Sequence, residues 1–129
     1  MDEELKKEYL EYQYLQQQAQ TLQNQVNQVR GAIEETNASI QALESLAEEN
    51  IFSVGSGVLV KAKPSNNKVL MDVGGKIVVE KTIPEATTAL KDKNQKLENA
   101  LKEMGKSFEE VIKTMQEKEN YLRKATEKE

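Results

Sequence analysis

One set of residues constrains this chain more than any other. Leu5, Glu8, Tyr12, Leu15, Ala19, Leu22, Val26, Val29, Ile33, Thr36, Ile40, Leu43 and Ala47 recur at alternating intervals of three and four, and only Glu8 and Thr36 among them are polar. The residues between are mostly Gln, Asn, Glu and Lys, so the apolar stripe is narrow, as a coiled-coil seam is. Such a stripe has to be covered by another seam, and the last third of the chain supplies one. Leu90, Asn94, Leu97, Leu101, Met104, Phe108, Val111, Met115, Lys118, Leu122 and Ala125 keep the same spacing, interrupted by Asn94 and Lys118. Thr82 followed by Glu85 forms a capping box at its start, with Pro84 in the first turn, where a missing N–H costs nothing. Each helix spans roughly 65 Å at 1.5 Å per residue.

Between the seams the period shortens to that of strands. Ile51-Phe52-Ser53-Val54, Val58-Leu59-Val60-Lys61-Ala62-Lys63, Lys68-Val69-Leu70-Met71-Asp72-Val73 and Lys76-Ile77-Val78-Val79-Glu80-Lys81 are β-branched runs. They are separated by Gly55-Ser56-Gly57, Pro64-Ser65-Asn66-Asn67 and Gly74-Gly75, the last of which suits a two-residue hairpin turn. The fold class is α+β: a long antiparallel two-helix coiled coil with two β-hairpins inserted between the helices. Residues 1–50 are the first helix, 51–81 the hairpins and 82–129 the second helix, within a single structural domain. Equal helix lengths place Tyr12 near Tyr121 and Ala19 near Met115. Two short hairpins leave open edges and bury too little to stand alone. Their edges are expected to pair with other subunits and close into an intersubunit β-barrel. The assembly residues are Phe52, Val54, Val58, Val60, Val69, Met71, Val73, Ile77 and Val79.

Composition narrows the function. Cys and His are absent, which removes thiol and imidazole nucleophiles, disulfides, and metal sites needing sulfur or nitrogen ligands. Adjacent carboxylates such as Glu48-Glu49 and Glu109-Glu110 diverge on a helix rather than share a pocket. Gly55-Ser56-Gly57 and Gly74-Gly75-Lys76 lack phosphate-loop spacing. No enzyme, cofactor or metal is expected. Residues 1–50 carry three Lys/Arg against ten Asp/Glu, residues 51–84 five against two, and residues 85–129 ten against ten. The helical pair is therefore acidic, which argues against nucleic acid. The acidic start is no secretory signal, and no apolar run approaches the roughly 20 residues that span a bilayer. A soluble, cytoplasmic chain acting through shape and surface is expected, with no membrane partner.

Val69-Leu70-Met71-Asp72-Val73-Gly74, Val78-Val79-Glu80-Lys81-Thr82 and the preceding Gly57-Val58-Leu59-Val60-Lys61-Ala62 resemble the hairpin signature of alpha-class prefoldin subunits, archaeal-like in their short termini. The resemblance covers the whole chain in architecture, but its specific motif only residues 57–82. Where family members have Gly-x-Gly followed by aromatic residues, this chain has Gly74-Gly75-Lys76 and then Ile77-Val78, a difference in turn shape and strand packing. The beta class has one hairpin, so four strand runs favour alpha. The resemblance implies a hexamer of two alpha-class and four beta-class subunits joined by β-barrels. It implies an ATP-independent holdase that captures unfolded polypeptides at the distal coil tips and delivers them to a group II chaperonin.

A holdase needs confined, adaptable apolar surface. All four tyrosines, Tyr9, Tyr12, Tyr14 and Tyr121, fall at the expected tip, and a rigid amphipathic ring suits promiscuous contact. The client-binding candidates are Leu5, Tyr9, Leu10, Tyr12, Tyr14, Leu15, Tyr121 and Leu122. Tyr12 and Tyr121 serve equally well to close the coil end against fraying, whereas the heptad does not demand Tyr9, Leu10 or Tyr14. Met104, Phe108 and Met115 sit on the seam, where core packing is the favoured role. Glu8 and Lys118, polar on the seam, would ease opening of the tip. Gly31 and Gly105 are flex points or tolerated surface glycines. Gln13, Gln16, Gln17, Gln18, Gln20, Gln23, Gln25 and Gln28 make a soft cavity lining or a neutral solvated face. A coiled-coil scaffold or adaptor oligomerised through its hairpins, without chaperone activity, is the alternative.

Overall fold

The computed structural model describes residues 2–46 and 48–127. Ala47, the last member of the first seam, lies outside the described residues. The order is α1 (Glu3–Ser45), β1 (Asn50–Gly55), β2 (Val58–Ala62), a 3-10 turn (Ser65–Asn67), β3 (Lys68–Gly74), β4 (Ile77–Thr82) and α2 (Ile83–Glu127). Two long helices bracket two antiparallel hairpins, as the change of period requires.

The helix ends are closed by side chains where intrahelical partners run out. Asp2 Oδ1 accepts the Glu4 N–H at 3.2 Å. At the other end of α1, Asn50 Nδ2 donates to the carbonyls of Ser45 (2.7 Å) and Glu48 (2.8 Å), fixing the corner into β1. The expected capping box opens α2. The Glu85 N–H donates to Thr82 Oγ1 at 3.2 Å, and the Thr82 N–H and hydroxyl both donate to Glu85 Oε1, at 3.3 and 2.9 Å. These bonds, the hydroxyl's first, hold the Glu85 carboxyl below its ordinary pKa.

Each hairpin turns through two left-handed residues preceded by a glycine bulge. Ser56 and Gly57 make the first turn (φ 51° and 79°), and Gly75 and Lys76 the second (φ 60° and 64°). Gly55 and Gly74 therefore belong to strands. Pairing slips between Ser53 and Gly55 and between Asp72 and Gly74, and Asp72 Oδ1 accepts the Gly74 N–H at 2.8 Å. The expected Gly74-Gly75 turn is displaced by one residue. Backbone twist favours this geometry for joining two strands, and Lys76 accepts a positive φ to keep it. The hairpins are separate two-stranded sheets, and among the described residues no barrel closes.

The chain divides into two compact units. The terminal unit holds residues 2–31 and 98–127, where the two helix segments run antiparallel. Its seam buries Leu5 and Val26, and Met104, Phe108 and Met115 are half-buried along it. Every described member of both seams escapes full exposure, so the heptad assignment stands. The hairpin unit holds residues 32–97. It buries Thr36, Ile40, Ala86 and Asn94. The Thr36 hydroxyl satisfies itself on the Ala32 carbonyl at 2.8 Å. Asn94 Nδ2 donates to Asn37 Oδ1 at 2.7 Å, whereas Asn94 Oδ1 has no hydrogen-bond partner. Val69 and Met71 of β3 line a crevice with Leu43, Ala86 and Leu90, which seats one face of the second hairpin on the helices.

Candidate functional site

The candidate client site lies wholly in the terminal unit. Seam spacing puts Leu5 and Tyr12 on one wall and Leu122 on the other, and Tyr9, Glu119, Arg123 and Thr126 complete a largely apolar crevice. Leu5 is buried at its floor, and Tyr12, Leu15 and Leu122 are half-buried. Tyr9, Leu10, Tyr14 and Tyr121 are exposed, Leu10 at 63% and Tyr14 at 61%. The eight sequence candidates thus divide in two. Four form or support the crevice as seam residues, and four lie outside the seam's demand or at its margin. Exposed apolar residues of that size cost solvation unless something covers them.

Tyr121 lies within electrostatic reach of Glu4, Glu8 and Asp2, and Tyr12 shares a crevice with Glu119 and Leu122 on either side of Tyr121. Partial desolvation, followed by those negative charges and a hydrogen bond to the Glu4 side chain, pushes the Tyr121 phenol pKa up.

Glu8 and Lys118, the polar seam positions of this unit, are tied together. Lys118 Nζ donates to Glu8 Oε2 at 2.8 Å and to Glu11 Oε2 at 2.6 Å, and the lysine side chain is only 19% exposed. Opposite charges brought together at partial burial attract more strongly than in bulk water. The bonds to Glu11 and Glu8 raise the Lys118 pKa, and the bond to Lys118 lowers that of Glu11.

The amide-rich face is internally bonded in places. Gln20 Nε2 donates to Asn24 Oδ1 at 3.2 Å, Gln23 Nε2 to Asn27 Oδ1 at 3.1 Å, and Gln18 Nε2 to the Tyr14 hydroxyl at 3.2 Å. An added Cβ at Gly31 or Gly105 would meet open space, so packing against a neighbour does not require either glycine.

The candidate assembly surface lies in the hairpin unit. Phe52, Val54, Val58, Val60, Val73 and Ile77 are exposed, while Val69, Met71 and Val79 are half-covered by this chain's own residues. Four further exposed residues escaped the sequence reading: Ile51 (63%), Leu59 (63%), Leu70 (75%) and Val78 (55%). Phe52 pairs with Val60, whereas Ile51 and Leu59 stand on the opposite face of the same hairpin. The signal was present in Val58-Leu59-Val60 and Ile77-Val78-Val79. Unbroken apolar runs mark strands covered on both faces.

Two long helices around two hairpins, with broad apolar surface open on the strands and at the helix ends, define a coiled-coil assembly subunit. The chain belongs to the prefoldin subunit family, whose model matches residues 15–128. That family is one of chaperone subunits rather than enzymes. Prefoldin subunit alpha 1 of Methanocaldococcus jannaschii is 33% identical over 117 residues, covering 89% of this chain and 82% of that one. Prefoldin subunit alpha of Archaeoglobus fulgidus is 25% identical and covers 99% of this chain and 98% of its own. A filamentous prefoldin from Methanocaldococcus jannaschii, solved by cryo-electron microscopy, shares the fold at a TM-score of 0.67. It is 22% identical, covering 81% of this chain and 92% of that one. Among the described residues no helix is long and apolar enough to cross a membrane.

Proposed function

We propose that this chain is the alpha-class subunit of an ATP-independent holdase. It captures unfolded polypeptides at the apolar crevice and exposed tyrosines of the terminal unit and passes them to a group II chaperonin. In this reading it assembles with beta-class subunits, two alpha to four beta, in the cytoplasm. The hairpins supply the strands of an intersubunit β-barrel. The observation that carries the reading is the gathering of all four tyrosines into the terminal unit, where Tyr9 and Tyr12 line a crevice with Leu5 and Leu122. Apolar surface concentrated there can take hold of exposed hydrophobic segments by area rather than by sequence. On the hairpins, Ile51, Phe52, Leu59, Leu70 and Val78 remain exposed and call for partner strands.

The test is co-expression with a beta-class subunit, followed by a mass measurement and an aggregation assay with a denatured client. A closed mass near six subunits supports the assembly. An open ladder would point instead to the filament form known for a family relative. Removal of residues 1–14 and 121–129 is expected to abolish client protection and leave the mass per added chain consistent with the same subunit count. Undiminished protection after that removal would favour the scaffold reading.

A further inference from the structure

We infer that Lys118 is a positioning residue for the terminal crevice: by binding Glu8 and Glu11 across the coil it fixes the spacing of the two walls and keeps the crevice open. The inference rests on the client-capture reading for its consequence, though not for its geometry. Glu8 lies on the seam between Leu5 and Tyr12, and Lys118 lies one turn before Leu122. The clamp therefore neighbours residues that line the crevice, Tyr9, Tyr12, Glu119 and Leu122, without lining it itself. Leucines at these two positions would interdigitate knob into hole and draw the helices together. A lysine spans farther. Its ammonium reaches a carboxylate on the seam at 2.8 Å and one beside it at 2.6 Å. Glu8 lies on the seam and Glu11 beside it, so in this proposal the ion group, rather than apolar packing, holds the helix separation at this level. Removing both seam charges should then strengthen the coil while closing the crevice, since well-packed apolar residues are often the more stabilising replacement for a partly buried ion pair.

That opposition between stability and capture separates positioning from a merely structural role. The full chain, labelled with meta-fluorotyrosine and assembled with unlabelled beta-class subunits, gives a fluorine signal confined to Tyr9, Tyr12, Tyr14 and Tyr121. In Glu8→Leu/Lys118→Leu the solvent accessibility of Tyr9 and Tyr12 is expected to fall and the melting temperature to rise. Client affinity is expected to drop roughly tenfold, the loss of one large apolar contact. Lys118→Arg, which keeps charge and reach, should retain wild-type behaviour. If the double variant does not assemble, Lys118→Met gives the same accessibility comparison. Tyrosine accessibility that stays constant or increases overturns the inference whatever happens to capture. Reduced accessibility with unchanged capture leaves the positioning role standing and removes the terminal crevice from the client site.

Discussion

Asn94 shows what a single seam residue decides. Its Nδ2 is satisfied by Asn37, but its Oδ1 is buried without a partner, an arrangement that costs free energy compared with an apolar residue. Asn94→Leu should stabilise the hairpin unit by about 1–2 kcal/mol, measured by urea denaturation. Polar residues at such positions restrict which helices pair and in which alignment. The same substitution is therefore expected to broaden the distribution of oligomers seen by native mass spectrometry. Gly31 and Gly105 make a complementary case, since open space surrounds both. Gly31→Ala and Gly105→Ala should each add about 0.5–1 kcal/mol of stability. If either position is a flex point for capture, that gain comes with weaker client protection; a tolerated glycine would leave protection unchanged. Side-chain identity told where the seam runs, but it did not show that Lys118 would reach two carboxylates. A flanking glutamate looks the same in sequence whether it faces solvent or a lysine over a hundred positions away.

At the level of the helix or strand, the ends were the most legible. Thr82 and Glu85 announce the start of α2 because the capping box needs those residue types at that spacing. Thr82→Ala should cost about 1 kcal/mol, checked by thermal unfolding. The pH dependence follows from the direction of each shift. Glu85 and Glu11 titrate lower in the folded chain, so their stabilisation is complete above the ordinary glutamate value of about 4.3 and fades as pH falls through the depressed value. Lys118 is shifted upward. Its contribution is complete below the ordinary lysine value of about 10.4 and fades as pH rises through the elevated one. Stability should therefore be flat across the neutral range and decline on both sides. Glu11→Gln should shrink the acid-side decline, read from melts across a pH series. Cross-helix polar contacts were less legible: apolar spacing marks the seam but does not say which lysine on one helix reaches which carboxylates on the other.

For the molecule as a whole, the governing fact is that its hairpins bury little of their own apolar surface. Leu59 and Leu70 are each more than 60% exposed in the single chain. Leu59→Lys and Leu70→Lys should thus leave the helical circular dichroism intact while weakening assembly by at least about tenfold, because each leucine buried at an interface is worth roughly 1.5–3 kcal/mol. Sedimentation velocity would reveal the change. Alternation-based reading assigned only one face of each hairpin to assembly, since it assumes that the other face meets water. The unbroken runs at Val58 and Ile77 leave apolar residues on both faces, one face of the second hairpin being partly covered by this chain's own helices.

The bond between Lys118 and Glu8 joins positions separated by 110 residues. A ribosome adding about 5–20 residues each second needs roughly 5–20 s to traverse that interval. Until it ends, the first helix lacks the partner seam that α2 supplies, and its greasy stripe stays bare. Newborn copies of this chain therefore face the very hazard that their family guards other proteins against, and fast pairing with sister subunits, or protection by complexes already built, becomes a condition of their own manufacture.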